Sequence, residues 1–529
     1  MSQAPTPAEP TGPGNLTFEK KSRKKRGPLY AVIAIVAVLA VVGGALLWNQ
    51  LSSEQAAPPS DTVDVDGTLR VGLVLGPTNL DIQKTSGAAL DQALIGNVYQ
   101  GLIALTPESE IVPALASKYS VSDDGLTYTF EVRDDVVFHS GAHMTIDDVV
   151  GSLTTTRDDV SFKGSAALAG VTAITASDDN TVVLTLDESN SMLLWSLTGR
   201  AGLIYEQAAT INYRDSTNGT GPFTLGTWRQ GDSLSLTRFD DYYGKSAGVK
   251  TVDFLYITDP NAAINAALSG DIDVQTAVPG TLKGRYENGP EFTLHTGDSS
   301  DVFTLAYNNA KAPFTDERVR TAISQAIDQE AIIEALDGTG RALGGPIPPT
   351  DPGYRDLTKI NAYDPENARK LLQETGQQNI TLTLTLSNTY ELTVPNLLVS
   401  QLADVGITLQ LRQVEFATWL QDVYTNHDFD LSYVNHVEER DLVNYTNPDY
   451  YFGYSNPEVT SLYNQALRAT DERQVDDLLA SAAQIVAEDA PAKWVYNLTP
   501  ITAVNERVKN FPVQGTNARL NVAGVTVMK

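Results

Sequence analysis

Leu29 to Trp48 reads LYAVIAIVAVLAVVGGALLW, twenty residues without a charge. Wound as a helix at about 1.5 Å per residue, such a run is about 30 Å long, the thickness of the hydrocarbon layer of a membrane. Ahead of it stands Lys20-Lys21-Ser22-Arg23-Lys24-Lys25-Arg26. Basic residues flanking a span stay on the cytoplasmic side, so everything after Trp48 is expected to lie outside. A cleaved secretory signal would have a shorter apolar region, and WNQLSSEQ offers no small-x-small cleavage site. The reading is therefore an uncleaved single-pass anchor with the N-terminus in the cytoplasm.

No later run matches this one in length and apolarity, so the remainder must fold in water. The chain of 529 residues carries a formal net charge of −28, and with the basic cluster sitting before the apolar run the rest is more acidic still. That balance argues against a nucleic-acid partner, whose phosphates require a basic surface. The sequence contains 0 cysteines. Disulfides, thiolate nucleophiles, Cys-based metal sites and lipid attachment through an N-terminal cysteine are thereby excluded.

Residues 1 to 28 hold Pro5, Pro7, Pro10 and Pro13 among small polar residues before the basic cluster, too little apolar surface for a core, and read as a disordered tail. Residues 49 to 66 are polar with a Pro pair, a spacer after the span at 29 to 48. The folded part is expected to start near Gly67. Its first half is rich in strands: Thr68 to Leu75, Leu126 to Val132, a hairpin of Val171 to Ala176 with Thr181 to Leu186, and a second of Phe223 to Thr227 with Ser233 to Arg238. Thr145 with Asp148 marks a helix start. From Asp259 the period changes. Asp259-Pro260, Asp316 and Asp364-Pro365 each begin a helix, and strands near 380 to 386, 407 to 414 and 429 to 434 alternate with helices. Such alternation predicts a parallel sheet covered by helices. Residues 501 to 529 revert to short strands, so the end of the chain is expected to return to the first domain.

Several phrases recur in a fixed order: Leu80-Asp81, Val98-Tyr99-Gln100-Gly101-Leu102, Val112-Pro113-Ala114-Leu115-Ala116, Ser122 to Arg133 leading to Phe138-His139-Ser140-Gly141, Gly219-Thr220-Gly221-Pro222-Phe223, Ser269-Gly270-Asp271-Ile272-Asp273, Pro313-Phe314-Thr315-Asp316 and Tyr363-Asp364-Pro365. In this order and spacing the chain resembles the extracytoplasmic solute-binding proteins of the dipeptide, oligopeptide and nickel class of ABC importers, bacterial solute-binding protein family 5. The resemblance covers nearly all of residues 67 to 515. It implies an α/β, two-lobed periplasmic-binding-protein-like fold of the three-subdomain, peptide-binding type. Lobe I would hold 67–304 plus 499–529, with an extra subdomain near 82–200, and lobe II would hold 305–498.

The resemblance also implies where a ligand sits. Members that bind peptides pair the peptide backbone with strand-like main chain soon after the Leu-Asp phrase, here Ser86-Gly87-Ala88, and hold the free ammonium with an acid on the loop after a lobe II strand. That loop reads Asn435-His436-Val437-Glu438-Glu439-Arg440-Asp441. Glu439 best matches the acid, a longer Glu in place of the family's Asp, and Glu438 lies one register away, while the family's Gly-Trp is absent and His436 stands near the place of its Trp. Independently of any family, four ionisable side chains and a histidine at the carboxyl end of a buried-looking strand occupy the place where α/β sheets present ligand sites.

Other strings read as structure. Gly244-Lys245-Ser246-Ala247-Gly248 fits a nucleophile elbow, but the following residues continue as a strand where an elbow needs a helix. His139 and His143 flank a loop without the acid of a zinc helix, which leaves His139 a structural residue beside Phe138. The functional expectation is a substrate-binding component of an ABC importer. It captures a short peptide or similar small polar solute by lobe closure, docks on ABC permease subunits, is tethered by its N-terminal helix, and uses no cofactor, metal or catalytic residue. The alternative is a non-transport envelope sensor or interaction protein on the same fold.

Overall fold

The computed structural model describes residues 62–85, 87–287, 289, 291–516 and 518–529. The expected tail at 1–28, the apolar run at 29–48 and residues 49–61 of the spacer lie outside the described residues, as does Ser86. Among the described residues no helix is long and apolar enough to cross a membrane. The chain is tied down slightly before Gly67: Val63 bridges Met528, and the Asp64 amide donates to the Val527 carbonyl at 2.7 Å.

Two large sheets carry the architecture. The first has seven strands in the order Phe292–Thr296, Ile501–Asn505, Val274–Val278, Thr68–Leu73, Thr251–Tyr256, Ser233–Arg238 and Phe223–Arg229. Its central strand alternates in burial, with Leu69, Val71 and Leu73 in one core alongside Phe223, Leu234, Leu236 and Phe254. The second sheet has six strands in the order Gly340–Arg341, Ala492–Leu498, Val302–Tyr307, Leu431–His436, Thr381–Ser387 and Thr408–Val414. Its middle strands are buried on both faces, as their near-continuous apolar sequence requires. One face packs on the helices Glu317–Gln325, Pro365–Glu374 and Thr393–Asp404, and the other on Pro457–Arg468 and Glu472–Asp489. A four-stranded sheet, in the order Ala116–Val121, Thr127–Val132, Thr181–Leu186 and Val171–Asp178, has its own core around Phe130, Phe138 and Leu184.

The six-stranded sheet is mixed, not parallel. Thr381–Ser387 runs parallel to both Thr408–Val414 and Leu431–His436, but Val302–Tyr307 is antiparallel to Leu431–His436 and to Ala492–Leu498. The physical reason is that Val302–Tyr307 carries the chain into this half and Ala492–Leu498, reached from the helix Glu472–Asp489, carries it back out, so the two neighbours run in opposite directions.

The passage between the two large sheets is a pair of short segments bonded to each other. Outbound, residues 297–301 lead from Phe292–Thr296 to Val302–Tyr307; on the return, Thr499-Pro500 leads from Ala492–Leu498 to Ile501–Asn505. Asn497 Nδ2 donates to the carbonyls of Ser299 (2.9 Å) and Asp301 (3.0 Å), Ser299 Oγ donates to the Leu498 carbonyl (2.8 Å), and the Gly297 amide donates to the Pro500 carbonyl (2.9 Å). Only two strands of backbone cross here, and their φ and ψ angles are the degrees of freedom for a hinge.

Candidate functional site

The strand Leu431–His436 lies at the centre of its sheet, and its carboxyl end opens toward the crossover. The Asn435 amide donates to the Tyr390 hydroxyl at 3.1 Å and Asn435 Nδ2 to Asp301 Oδ2 at 3.3 Å, while its Oδ1 is buried with no protein partner among the described residues. His436 is 5% exposed. Its Nδ1 pairs with Asp441 Oδ2 at 2.7 Å, its Nε2 with the Tyr451 hydroxyl at 3.0 Å, and Asn444 Nδ2 takes the other Asp441 oxygen. Burial opposes a charge on the imidazole, but the ion and hydrogen bond of Asp441, with Glu438 nearby, outweigh it and raise the His436 pKa. With both ring nitrogens and both Asp441 oxygens engaged by protein, this pair fixes the loop.

The loop then turns through Arg440, a non-glycine residue in the left-handed region (φ 62°). Its amide donates to Asp351 Oδ2 at 2.5 Å, which anchors the turn to the segment 348–352. Glu438 is exposed. Glu439 reaches the opposite half of the molecule, where Arg519 Nη2 lies 3.4 Å from its Oε2, with the two side chains 27% and 22% exposed. Arg519 belongs to the C-terminal segment, whose next residue hydrogen-bonds to Gln92 beside the seven-stranded sheet. Its Nη1 also donates to the carbonyl (3.1 Å) and Oγ1 (2.9 Å) of Thr198. Between the two arginines stands Trp195: the Arg440 guanidinium is 4.7 Å from the indole ring and that of Arg519 is 5.8 Å from it. Two cations from opposite sides of a cleft thus flank one aromatic ring, and a carboxylate lies within reach.

On the facing wall, the described residues Gly87 and Ala88 do not form a strand. Gly87 (φ 134°) is the N-cap of the helix Ala88–Leu94, and Ala88 opens that helix instead of an edge strand. The reason is Arg200, which binds the preceding loop from inside: Nη1 donates to the carbonyls of Ile82 and Thr85, Nη2 to that of Gly87, and Nε to Asp91 Oδ1 at 2.6 Å.

A second contact joins the halves away from this cluster. The last turn of Pro457–Arg468 has carbonyls without helical partners, and the loop at 188–191 supplies them. The Ser191 amide donates to Leu467 O (2.8 Å), Ser191 Oγ to Ala466 O (2.9 Å) and Ser189 Oγ to Arg468 O (2.6 Å), while Arg468 pairs with Glu188 at 2.6 Å.

The hydrolase-like string Gly244 to Gly248 runs into the strand Thr251–Tyr256, so it is no elbow. His139 Nε2 bonds to the Gly221 carbonyl at 2.9 Å, and its ring meets Phe239 edge-on; burial lowers its pKa to about 4, which keeps it a neutral packing residue. Among the described residues no group of three His, Asp or Glu side chains could hold a metal.

Trp195, Arg519, Asp351, Met192 and Arg200 were not singled out by the sequence. Met192, Trp195 and Arg200 share the segment 192–200, whereas Asp351 and Arg519 come from distant parts of the chain, and only the tertiary fold places the three segments together.

Residues 110–458 match the family model described as bacterial extracellular solute-binding proteins, family 5, middle. Among curated relatives, the chain is 29% identical to heme-binding protein A of Haemophilus influenzae over 358 residues, which is 61% of this chain and 64% of that protein. It is likewise 29% identical to the glutathione-binding protein GsiB of Escherichia coli over 338 residues, 62% of this chain and 65% of that one. The matches therefore span a little less than two thirds of the length of either relative. Among solved structures, the periplasmic binding protein DppA of Helicobacter pylori, in complex with the peptide STSA, superposes with a TM-score of 0.77 at 22% identity, covering 88% of this chain and 99% of that one.

Proposed function

Since this chain belongs to the family 5 bacterial extracellular solute-binding proteins, we propose that it captures a short peptide or similar small polar solute for an ABC importer. In this reading the segment at 29–48 is a membrane anchor, residues 49–66 are its spacer, and the binding domain works on the extracytoplasmic face. Lobe I (67–304 with 499–529) and lobe II (305–498) close over the solute by bending at the paired crossovers, and the closed form is presented to the permease subunits. No bond is made or broken.

The observation that carries the proposal is the Glu439–Arg519 contact between the two halves. An acid at the carboxyl end of a central strand reaches the other lobe, and at 3.4 Å it holds its counter-ion loosely enough to exchange it for the ammonium of a solute. Exchange within a closed cleft stabilises the closed population, because solute touches both lobes only there. The relative named as glutathione-binding supports a peptide-like solute, and the relative named as heme-binding shows how far solute chemistry varies at this level of identity.

The test is native purification of the full chain in detergent, followed by mass spectrometry of what the protein retains. Recovery of a small polar solute that rebinds with micromolar or tighter affinity supports the proposal. A chain that retains nothing and binds no member of a peptide library opposes it.

A further inference from the structure

Taking a charge out of water is costly unless a counter-charge and hydrogen-bond partners replace the water it loses. Lys493 is a charge left almost without either. It is the second residue of the strand Ala492–Leu498 and pairs with Leu305 across the sheet, so it lies at the end of its strand away from the crossover. It is 5% exposed. Among the described residues no carboxylate forms an ion pair with it, and the one acceptor at its Nζ is the Asn361 carbonyl, at a long 3.4 Å. An ammonium carries several N–H donors, and those beyond the first have no protein partner here. Burial lowers the pKa only to about 8, so the group is still charged at neutral pH.

Beside Lys493 is a recess with room for about one water-sized particle. Leu343, Ile360, Ala487 and Trp494 make it mainly apolar. Its two other polar side chains are engaged within the protein: Ser324 Oγ pairs with the Tyr307 hydroxyl at 2.9 Å, and Asn361 Nδ2 donates to the Ala487 carbonyl at 3.0 Å. An occupant must therefore be small, must accept hydrogen bonds from the ammonium and need donate none. Water fits but leaves the charge uncompensated. A carboxylate or an oxyanion such as phosphate has too many heavy atoms for the space. A halide is a single atom close to water in size, accepts from any direction and carries the missing negative charge. Every wall of the recess comes from residues 324–494, within the half that contains the six-stranded sheet, so the site is complete whether or not the two halves are closed.

We propose that the recess at Lys493 is a halide site, with chloride as the counter-ion of the buried ammonium. The ion ties the stability of this half to halide concentration. The site stands apart from the cleft, so it is tested independently of the solute-binding reading.

The probes are sodium chloride and sodium bromide, each exchanged against sodium gluconate at constant ionic strength and neutral pH, with the full-length protein in detergent. The wild-type melting temperature should rise by about 1–3 °C for each tenfold increase in chloride or bromide above the dissociation constant. Lys493→Met, which keeps the size of the side chain and removes its charge, should lose that response and melt above the wild type in gluconate. In wild-type crystals soaked in bromide, the anomalous signal should place an ion at hydrogen-bond distance from Lys493 Nζ. A wild type that melts alike in chloride and gluconate overturns the site, as does an equal chloride response in Lys493→Met. A bromide at Nζ without any halide response of stability is an adventitious ion only and likewise overturns it. If Lys493→Met fails to fold, the wild-type bromide map decides: an ion at Nζ together with the halide response upholds the site, and a recess without bromide refutes it.

Discussion

Removing the hydroxyls of Ser189 and Ser191 tests closure without touching any group that would meet a solute. The two serines cap the carbonyls at the end of Pro457–Arg468 from the other half of the molecule, through hydrogen bonds of 2.6 Å and 2.9 Å. Each neutral bond is worth about 1 kcal/mol net. The neighbouring Glu188–Arg468 pair has side chains 64% and 56% exposed and adds little. In the open form the same carbonyls and hydroxyls are hydrated, so the loss falls on the closed form alone. The double variant Ser189→Ala/Ser191→Ala should therefore shift the closure equilibrium by about 2 kcal/mol, about thirtyfold. Because solute is held in the closed form, its Kd should rise by the same factor, mostly through faster release. Calorimetry and stopped-flow release with the solute recovered from the native protein measure both. A Kd within threefold of the wild type, or a lowered melting temperature of the solute-free protein with unchanged affinity, would refute the reasoning.

Three further outcomes are expected. Glu439→Ala should weaken binding of an ammonium-bearing solute by about 2 kcal/mol, the lower end for a hydrogen-bonded charge pair because the side chain is 27% exposed; calorimetry showing an unchanged Kd would remove Glu439 from the site. Burial lifts the Asp351 carboxyl to about 6, against the lowering effect of the Arg440 amide and with Glu439 adding to the rise. The folded state therefore holds this proton to a higher pH than the unfolded chain does, so stability should fall as pH rises from about 4 to about 6, and Asp351→Asn should flatten that profile in denaturant titrations. Lys493 is 5% exposed and burial lowers its pKa to about 8 from 10.5. Below pH 8 the fold must bury its charge, so stability should rise as the pH climbs from 8 toward 10.5; Lys493→Met should add about 3 kcal/mol at neutral pH in denaturant titrations and abolish that rise.

Local signals in the sequence carried over well. Asp259, Asp316 and Asp364 each cap a helix through the side chain, and Thr145 with Asp148 forms a full capping box, because these preferences act within one turn of chain. The hairpin strands Val171–Asp178 and Thr181–Leu186 fall where their turn residues indicated. Pairing direction did not carry over: β-α-β alternation describes Thr381–Val414 but says nothing of Val302–Tyr307 and Ala492–Leu498, whose partners are set by where the chain crosses between halves.

The site was legible only along one loop. A run of charges after a buried strand pointed to Asn435–Asp441, yet the run alone could not tell that His436 and Asp441 satisfy each other while Glu439 and Arg440 look outward. Arg519 and Trp195 lie in segments with no charge pattern or periodicity to mark them, and they acquire meaning only at 3.4 Å from Glu439 and 4.7 Å from Arg440. Strand-like main chain at Ala88 was implied by the resemblance alone, and nothing nearby disclosed that Arg200, more than a hundred residues on, captures the loop before it.

The central claim is that two halves close over a solute. The chain has 0 cysteines, so two introduced at the exposed positions Asp179 and Glu472, one in each half, place spin labels uniquely in the full-length protein. Pulsed electron resonance should show the inter-label distance shift to a shorter, narrower distribution on adding the solute recovered from the native protein. A distribution that is the same with and without saturating solute would contradict the account.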